Sequence, residues 1–177
     1  MSRRYQTWDE FAHDLVSFFS NNVVTQTEIF DMEKFNILRE LQFFKSFSDI
    51  ELWEMLRISD WRKARSGEFI LREGERGREF FILGQGSVKV FKQGLLLSVL
   101  NKGDCFGEMA HLSEHAFTRS TDVVVDADAT LIGVNPDILE RATVGCRFKI
   151  DNAFLRLLVK RLDGANTRIS HLLSSLS

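Results

Sequence analysis

Glycine is distributed very unevenly along this chain, and that distribution limits the folds it can adopt. None of the 11 glycines precedes Gly67, and nine of them lie between Gly67 and Gly133. In the same segment short apolar runs alternate with turn residues, as at Phe80–Leu83, Leu95–Leu100 and Val123–Val125. Many short strands joined by tight turns form a small sandwich or barrel. The sequence therefore predicts a mainly β fold in the middle of the chain.

The flanks of this glycine-rich segment have the spacing of helices. Apolar residues recur at helical intervals in Trp8–Phe19 and Phe35–Phe44. Ser48–Glu51 has the pattern of a capping box, and Asn135-Pro136 is a typical helix start. Helices before and after a set of short strands predict a jelly-roll-like β-barrel with N-terminal helices and a long C-terminal helix.

Composition excludes several classes of protein. The net charge of -2 argues against a dedicated nucleic-acid surface, which normally carries a strong basic excess. Cys105 and Cys146 are too few for a disulfide framework or a four-thiolate metal cluster. The sequence has no apolar run of membrane length and no signal-peptide pattern at its start, so we expect a cytoplasmic protein that does not bind a membrane.

The segment from Gly103 to Thr121 carries the chemistry, and it reads GDCFGEMAHLSEHAFTRST. Glu108 stands at a predicted helix start, where free backbone N–H groups attract anions, and Arg119 follows after a short loop. An arginine fork binds a phosphate through paired hydrogen bonds. Glu108 would repel a phosphate, but its carboxylate can accept a hydrogen bond from a sugar hydroxyl. A phosphate beside a sugar hydroxyl indicates a nucleotide ligand.

The same residues resemble the phosphate-binding cassette of cyclic nucleotide-binding domains, which usually reads F-G-E-[LM]-A-L, a variable loop, then R-[AST]-[AT]. Ser66–Gly74 and Phe81–Val90 also resemble that family's entry strands and hairpin, and the resemblance extends over about residues 43–173. Two features depart from the family's pattern: Thr118 replaces the usual proline, and the loop before Arg119 is a residue or two longer. The resemblance, to the type found in catabolite activator protein and cAMP-dependent kinase regulatory subunits, implies three parts: a helical extension (1–45), a nucleotide-binding barrel (46–146) and a lid and dimerisation helix (147–177).

The resemblance also implies a role for each cassette residue. Gly107 lets the backbone approach the phosphate, while Glu108 accepts the ribose 2′-hydroxyl and Arg119 pairs with the cyclic phosphate. Each of these residues also has an ordinary structural explanation, as a turn glycine, a surface glutamate at a helix start and a solvated arginine. The remaining phosphate contacts come from the backbone of Met109 and Ala110 and from the Ser120 hydroxyl.

Recognition of the base is less defined by the sequence. Val88, Val90, Leu100 and Phe106 form either an apolar slot for a purine or simply part of the barrel core. The stretch Arg161–Thr167 resembles the part of the last helix that covers adenine in catabolite activator protein, with Ala165 and Asn166 at the contact positions. Asn166 can read a purine edge with its amide. We expect cAMP as the ligand, with cGMP as the alternative.

The last helix has a second pattern. Seven apolar residues recur at spacings of 3, 4, 3, 4, 3 and 4, and they are Leu155, Leu158, Leu162, Ala165, Ile169, Leu172 and Leu176. This is the repeat of a coiled coil, although a helix lying on its own barrel also needs an apolar stripe. The pattern predicts a parallel homodimer through this helix.

Other classes of function have less support. His111 and His115 are four residues apart, but no third ligand accompanies them, so we expect no metal, and no nucleophile–base pair suggests an enzyme. In the catabolite activator family a DNA-binding domain follows the last helix, whereas this chain ends at Ser177, so we expect no direct DNA binding. The prediction is a cyclic nucleotide sensor without a cofactor, and its rival is a dimerisation module with a degenerate pocket. The aromatic residues of the N-terminal extension could bind an effector protein, although packing on the chain's own barrel is the commoner fate of such helices.

Overall fold

The computed structural model describes residues 26–112 and 118–175 of the chain. The chain divides into two compact units, Met1–Lys34 and Phe35–Ser177. The helix expected at Trp8–Phe19 lies outside the described residues. Every strand of the structure belongs to the second unit.

The described residues follow the expected order of helices, then strands, then a long helix. The elements are α1 (Gln26–Glu40), a 3-10 turn (Gln42–Phe44), α2 (Asp49–Ile58), β1 (Ser59–Ala64), β2 (Phe69–Leu71), β3 (Phe80–Lys92), β4 (Leu95–Asn101), β5 (Cys105–Phe106), α3 (Glu108–Leu112), β6 (Asp122–Val134), α4 (Pro136–Leu139) and α5 (Val144–Ser175). The prediction of a mainly β jelly-roll-like fold with flanking helices and a long C-terminal helix is confirmed.

Two helix starts form as their sequences predict. The Ser48 backbone N–H donates to Glu51 Oε2 at 2.7 Å, and the Glu51 N–H donates to Ser48 Oγ at 3.5 Å, which completes the capping box of α2. At α4, Asn135 Oδ1 accepts from the Asp137 N–H at 2.9 Å, and Pro136 occupies the first turn. These caps fix the starts of α2, which leads into β1, and of α4, which follows β6.

The sheet is antiparallel and is organised around its two longest strands, β3 and β6. These strands pair along most of their length, β1 and β2 pair with β6, and β4 and β5 pair with β3. The register between β3 and β6 shifts three times between Leu83 and Val88. Gly86 lies there with φ +83°, and a Cβ atom on it would stand 2.3 Å from the Asp128 carbonyl oxygen. Such irregularities bend a sheet, and here they let it curl into a barrel.

Alternation along β3 supplies two separate cores. Phe80 and Ile82 point to one side and pack with the helices, where the Phe154 ring meets the Phe80 ring at 4.8 Å. Phe81 and Leu83 point to the other side and form the interior of the barrel. The helical core fixes the first part of α5 against the sheet, and the barrel core lies beneath the cavity described below.

Polar contacts add to this attachment of α5. Lys149 Nζ donates to Glu51 Oε2 at 2.5 Å, and the Thr143 hydroxyl donates to Glu54 Oε2 at 2.8 Å. The beginning of α5 is therefore fastened to α2. None of the helices in the described parts of the chain has the length and apolar composition needed to span a bilayer.

Candidate functional site

A cavity of about 170 Å³ opens at one end of the barrel, and we call it the Arg119 cavity. Its apolar wall includes Leu71, Val90, Leu100 and Phe106, and its polar wall includes Glu108, Arg119 and Arg161. Phe106 ends β5, Val90 lies on β3 and Leu100 on β4. The cavity thus combines an apolar side made by the sheet with a charged side made by the cassette and α5.

Two buried charges distinguish this cavity. Among the described residues, Glu108 and Arg119 are the only polar or charged residues that are buried, with 5% and 8% of their surface exposed. Both line the Arg119 cavity. Burial of a charge is costly unless a partner compensates it. The fold therefore places its two buried charges at one site, where the sequence predicts the ligand.

The backbone of the β2–β3 loop positions Arg119. The Arg119 N–H donates to the Glu75 carbonyl at 2.8 Å, and the Gly74 N–H donates to the Arg119 carbonyl at 2.9 Å. In the side chain, Nη1 donates to the carbonyls of Glu79 at 2.7 Å and Gly107 at 3.3 Å. Among the described residues, Nε and Nη2 donate to none. One edge of the guanidinium is thus held by the protein while its other donors are left for an anion.

The guanidinium has no carboxylate bonded to it among the described residues. Burial lowers the pKa of Arg119, and the carboxylates of Glu79 and Glu75 oppose that effect through their charges. An arginine stays protonated in proteins, so the cavity contains a partly desolvated positive charge. An anion entering the cavity would compensate this charge.

Two glycines make room for the guanidinium. A Cβ atom on Gly77 would lie 2.7 Å from Arg119 Nη2, and one on Gly107 would lie 3.0 Å from Nη1. Gly107 also has φ +80°, a conformation that favours glycine. The sequence pointed to Gly107 through the cassette motif. It gave no signal for Gly77, because the contact joins separate loops of the fold.

Glu108 opens the short helix α3 and is paired with α5. Arg161 Nη1 donates to Glu108 Oε1 at 2.6 Å, and Arg161 Nη2 donates to the Cys105 carbonyl. The sequence resemblance includes Arg161 in the stretch that covers the base but assigns it no role of its own. Its partner lies 53 residues away, so only the fold could show the pair.

The other predicted residues are placed as follows. Met109 and Ser120 are exposed and line the cavity, whereas the Ala110 side chain is not among the described ones. Val88 is fully buried in the barrel core, while Val90, Leu100 and Phe106 line the cavity. Asn166 is exposed on α5 and does not line the cavity. Its contact with a base stays a prediction that requires α5 to move.

The structure gives no support to a metal site in its described parts. Within residues 26–112 and 118–175, no three His, Cys, Asp or Glu residues cluster closely enough to hold a metal ion. His115 lies outside the described residues, as does most of the loop that precedes Arg119.

The fold and the cavity define a class of protein: a β-barrel binding module with a built-in cation and a carboxylate acceptor in one pocket. Residues 61–143 match the family model described as the cyclic nucleotide-binding domain. Over these residues the chain is similar to the cyclic nucleotide-binding domain family, as the cassette motif predicts.

Similarities to individual proteins are consistent with this family match. The chain is 33% identical to a cGMP-dependent protein kinase of Toxoplasma gondii over 59% of its own length, but it spans only 11% of that kinase. The regulatory domain of Toxoplasma gondii PKA, solved with cAMP, has a TM-score of 0.60 at 18% identity, with 76% of this chain and 50% of that chain covered. Thermus thermophilus catabolite activator protein has a TM-score of 0.61 at 24% identity, with 73% and 62% covered. Both structures share the fold of this chain.

Proposed function

We propose that this chain is a cyclic nucleotide sensor that binds cAMP in the Arg119 cavity and transmits binding through α5. The observation that carries the proposal is that the two buried charges, Glu108 and Arg119, line one cavity. Arg119 is suited to a phosphate and Glu108 to a sugar hydroxyl. In this proposal the domain is regulatory rather than catalytic, and it acts in the cytoplasm.

The phosphate is bound by the free edge of Arg119. Nε and Nη2 offer two parallel donors, the arrangement that matches two phosphate oxygens. Gly107 adds a close approach of the backbone, and the N–H groups of Met109 and Ala110 in the first turn of α3 complete the anion site. The Ser120 hydroxyl supplies a further contact from the cavity rim.

The ribose is bound by Glu108 without displacing Arg161. Oε1 of Glu108 accepts from Arg161, so Oε2 is the atom that accepts the ribose 2′-hydroxyl. A carboxylate offers about four lone-pair sites and can serve both partners at once. Nucleotide binding and the position of α5 are therefore linked through one side chain.

The base lies against the apolar wall formed by Val90 and Leu100. Ser98 and Thr121 also line the cavity, and a hydroxyl group can donate to or accept from a purine edge. They suit adenine and guanine alike. The second candidate ligand is cGMP, because relatives at above 30% identity include cGMP-dependent protein kinases.

Coupling between nucleotide binding and the movement of α5 follows from how α5 is attached. Its first part is fixed by Lys149 and Phe154, while Arg161 ties a later turn to the cassette. A ligand shifts such an equilibrium only by its differential affinity for the two states. A bound nucleotide orders Glu108 and so strengthens its contact with Arg161. This contact moves α5 over the base, and the movement brings Asn166 towards the base.

We further propose that α5 forms a parallel homodimer and that the N-terminal extension contacts an effector protein. The exposed residues Leu155, Leu162 and Ile169 recur every seven residues, and Leu158 and Ala165 are half-buried beside them. A dimerisation module with a degenerate pocket is the rival function. It is disfavoured because a pocket with no ligand would keep the Arg119 guanidinium buried without a carboxylate partner at a continuing cost, whereas Glu108 is paired with Arg161.

Titration calorimetry tests the proposal. We expect cAMP to bind the wild-type chain and Arg119→Ala to weaken binding at least about tenfold, since each hydrogen bond to a charged group is worth roughly 1.5–3 kcal/mol. Arg65→Ala, an exposed arginine outside the cavity, is the matched control and should bind normally. Equal binding at millimolar or weaker affinity by wild type and Arg119→Ala would favour the degenerate module. A parallel titration with cGMP identifies the base.

A further inference from the structure

A second, larger cavity lies between α4 and α5, away from the Arg119 cavity. This α4–α5 groove has a volume of about 490 Å³, and its walls include Pro136, Leu139, Val144, Arg147, Phe148 and Asp151. Val144 and Phe148 are 72% and 67% exposed. Large apolar side chains at the edge of a groove of this size mark a surface that binds a partner.

Arg147 is incompletely satisfied at this groove. Its Nε is buried and has no hydrogen-bond partner among the described residues. Buried donors are nearly always paired, so an acceptor from outside the described chain is expected here. Asp151, one helical turn further along, lines the same groove and is exposed. Within the described residues neither side chain forms an ion pair with the other or with a third residue.

The groove is continuous with an exposed apolar line on α5. After Val144 and Phe148, this line continues through Leu155, Val159, Leu162 and Ile169, all of which are at least 55% exposed. At 3.6 residues per turn these six residues lie on one face of the helix, and Asp151 lies on the same face. The dimer surface proposed for α5 thus extends back to the groove. On α5 it includes the carboxylate of Asp151, and Arg78 and Glu140 line the groove beside it.

A second copy of the chain can supply the acceptor that Arg147 lacks within one chain. A two-fold interface is self-complementary, so a contact from residue i to residue j of the partner occurs twice. Arg147 and Asp151 are one turn apart and opposite in charge, so the same surface supplies both a cation and its acceptor. Within one helix an arginine that precedes an aspartate by four residues is the less favourable order for pairing.

We infer that the α4–α5 groove is part of the homodimer interface, in which Phe148 of one copy enters the groove of the other and Arg147 pairs reciprocally with Asp151 across the two-fold axis. This inference rests on the homodimer put forward under Proposed function and assigns its polar contacts. It places these contacts at the start of α5, the part that is fastened to α2 and the barrel.

Charge reversal with sedimentation velocity tests the inference on the full chain. We expect Arg147→Glu and Asp151→Arg each to weaken dimerisation about tenfold or more, because each reversal places like charges together twice in the symmetric interface. The double variant exchanges the two charges and should restore the dimer constant to within about threefold. Circular dichroism spectra of all variants, expected to match wild type, and thermal melts at a concentration where wild type is monomeric show that the changes act on association and not on folding.

Controls separate this inference from the wider dimer proposal. Lys160→Glu makes the same change in net charge at an exposed position on the opposite face of α5 and should leave the dimer intact. Leu162→Glu should dissociate the dimer through the apolar line. If Leu162→Glu dissociates it while Arg147→Glu behaves like Lys160→Glu, the groove inference is wrong and the α5 dimer stands. A wild-type chain that stays monomeric at every concentration, with and without cAMP, overturns both.

Discussion

At the scale of single residues, the proposed nucleotide binding depends on how the guanidinium of Arg119 is presented. Two backbone carbonyls hold Nη1, and two glycines leave space around the group. The cassette motif identified Gly107, Glu108 and Arg119 from the sequence, because the family's pattern is continuous there. Gly77 and Arg161 could not be assigned, since their contacts to the site depend on packing between distant segments.

The first prediction concerns Gly77. In Gly77→Ala the added Cβ would stand 2.7 Å from Arg119 Nη2, so the flexible end of the arginine must move. Gly77 does not have the positive φ of Gly107, so alanine fits its backbone. We expect affinity for cAMP, measured by calorimetry, to fall about tenfold, the size of one charged hydrogen bond, while the melting temperature changes little. Gly145→Ala, with Glu51 Oε1 at 3.5 Å as its neighbour, is the control and should bind normally. Unchanged affinity in Gly77→Ala would show that Nη2 does not contact the ligand.

The second prediction concerns Gly164, inside α5. A Cβ atom on it would meet nothing within 4 Å. Glycine inside a helix costs about 0.5–1 kcal/mol relative to alanine. Gly164→Ala should therefore raise the free energy of unfolding by about that amount in urea titrations. Destabilisation instead would show that the helix needs glycine here, for a bend or for close packing.

At the scale of elements, α5 is the element that links the cavity to the rest of the chain. The sequence predicted this helix and its apolar repeat from periodicity alone. It did not show which line of residues stays exposed: Leu158 and Ala165 are half-buried, whereas Val159, which lies outside the predicted repeat, is 60% exposed. Periodicity shows which apolar residues share one face of the helix, but which of them stay exposed depends on how the helix packs on the rest of the fold.

The third prediction tests the link between Arg161 and Glu108. In wild type we expect cAMP to slow amide hydrogen exchange in the part of α5 that follows Arg161. In Arg161→Ala the helix loses its bond to the carboxylate that binds the ribose, so this protection should be lost while cAMP still binds. Exchange measured by mass spectrometry, at saturating cAMP for both proteins, gives the comparison. Equal protection in both proteins would mean that coupling takes another route.

The fourth prediction concerns the attachment of α5 to α2. Burial raises the pKa of Glu51, but hydrogen bonds from Lys149 and Ser48 outweigh that effect and lower the pKa from 4.5 to about 2. A lowered folded-state pKa gives stability that is fully present above pH 4.5 and is lost as the pH falls towards 2. Glu51→Gln should therefore be less stable than wild type at pH 7, and urea midpoints should converge between pH 4.5 and 2. A gap that stays constant with pH would contradict the assignment.

At the scale of the whole molecule, the fold is the more predictable part. The glycine-rich segment marked the barrel, and the helix caps at Ser48 and Asn135 formed as expected. The strand order was not available from periodicity, because β3 and β6 pair across long distances in the chain and bend at irregular register shifts. The α4–α5 groove had no sequence signal, since its walls come from two helices, their connecting turn and Arg78 of the distant β2–β3 loop.

The central claim is that one cyclic nucleotide binds per chain through Arg119. Native mass spectrometry of the protein mixed with cAMP tests it most directly, because it counts bound ligands. The account predicts one nucleotide per chain in wild type and in Arg65→Ala, and loss of the bound nucleotide in Arg119→Ala at the same concentration. Absence of bound cAMP and cGMP in wild type, or equal occupancy in Arg119→Ala, would contradict it.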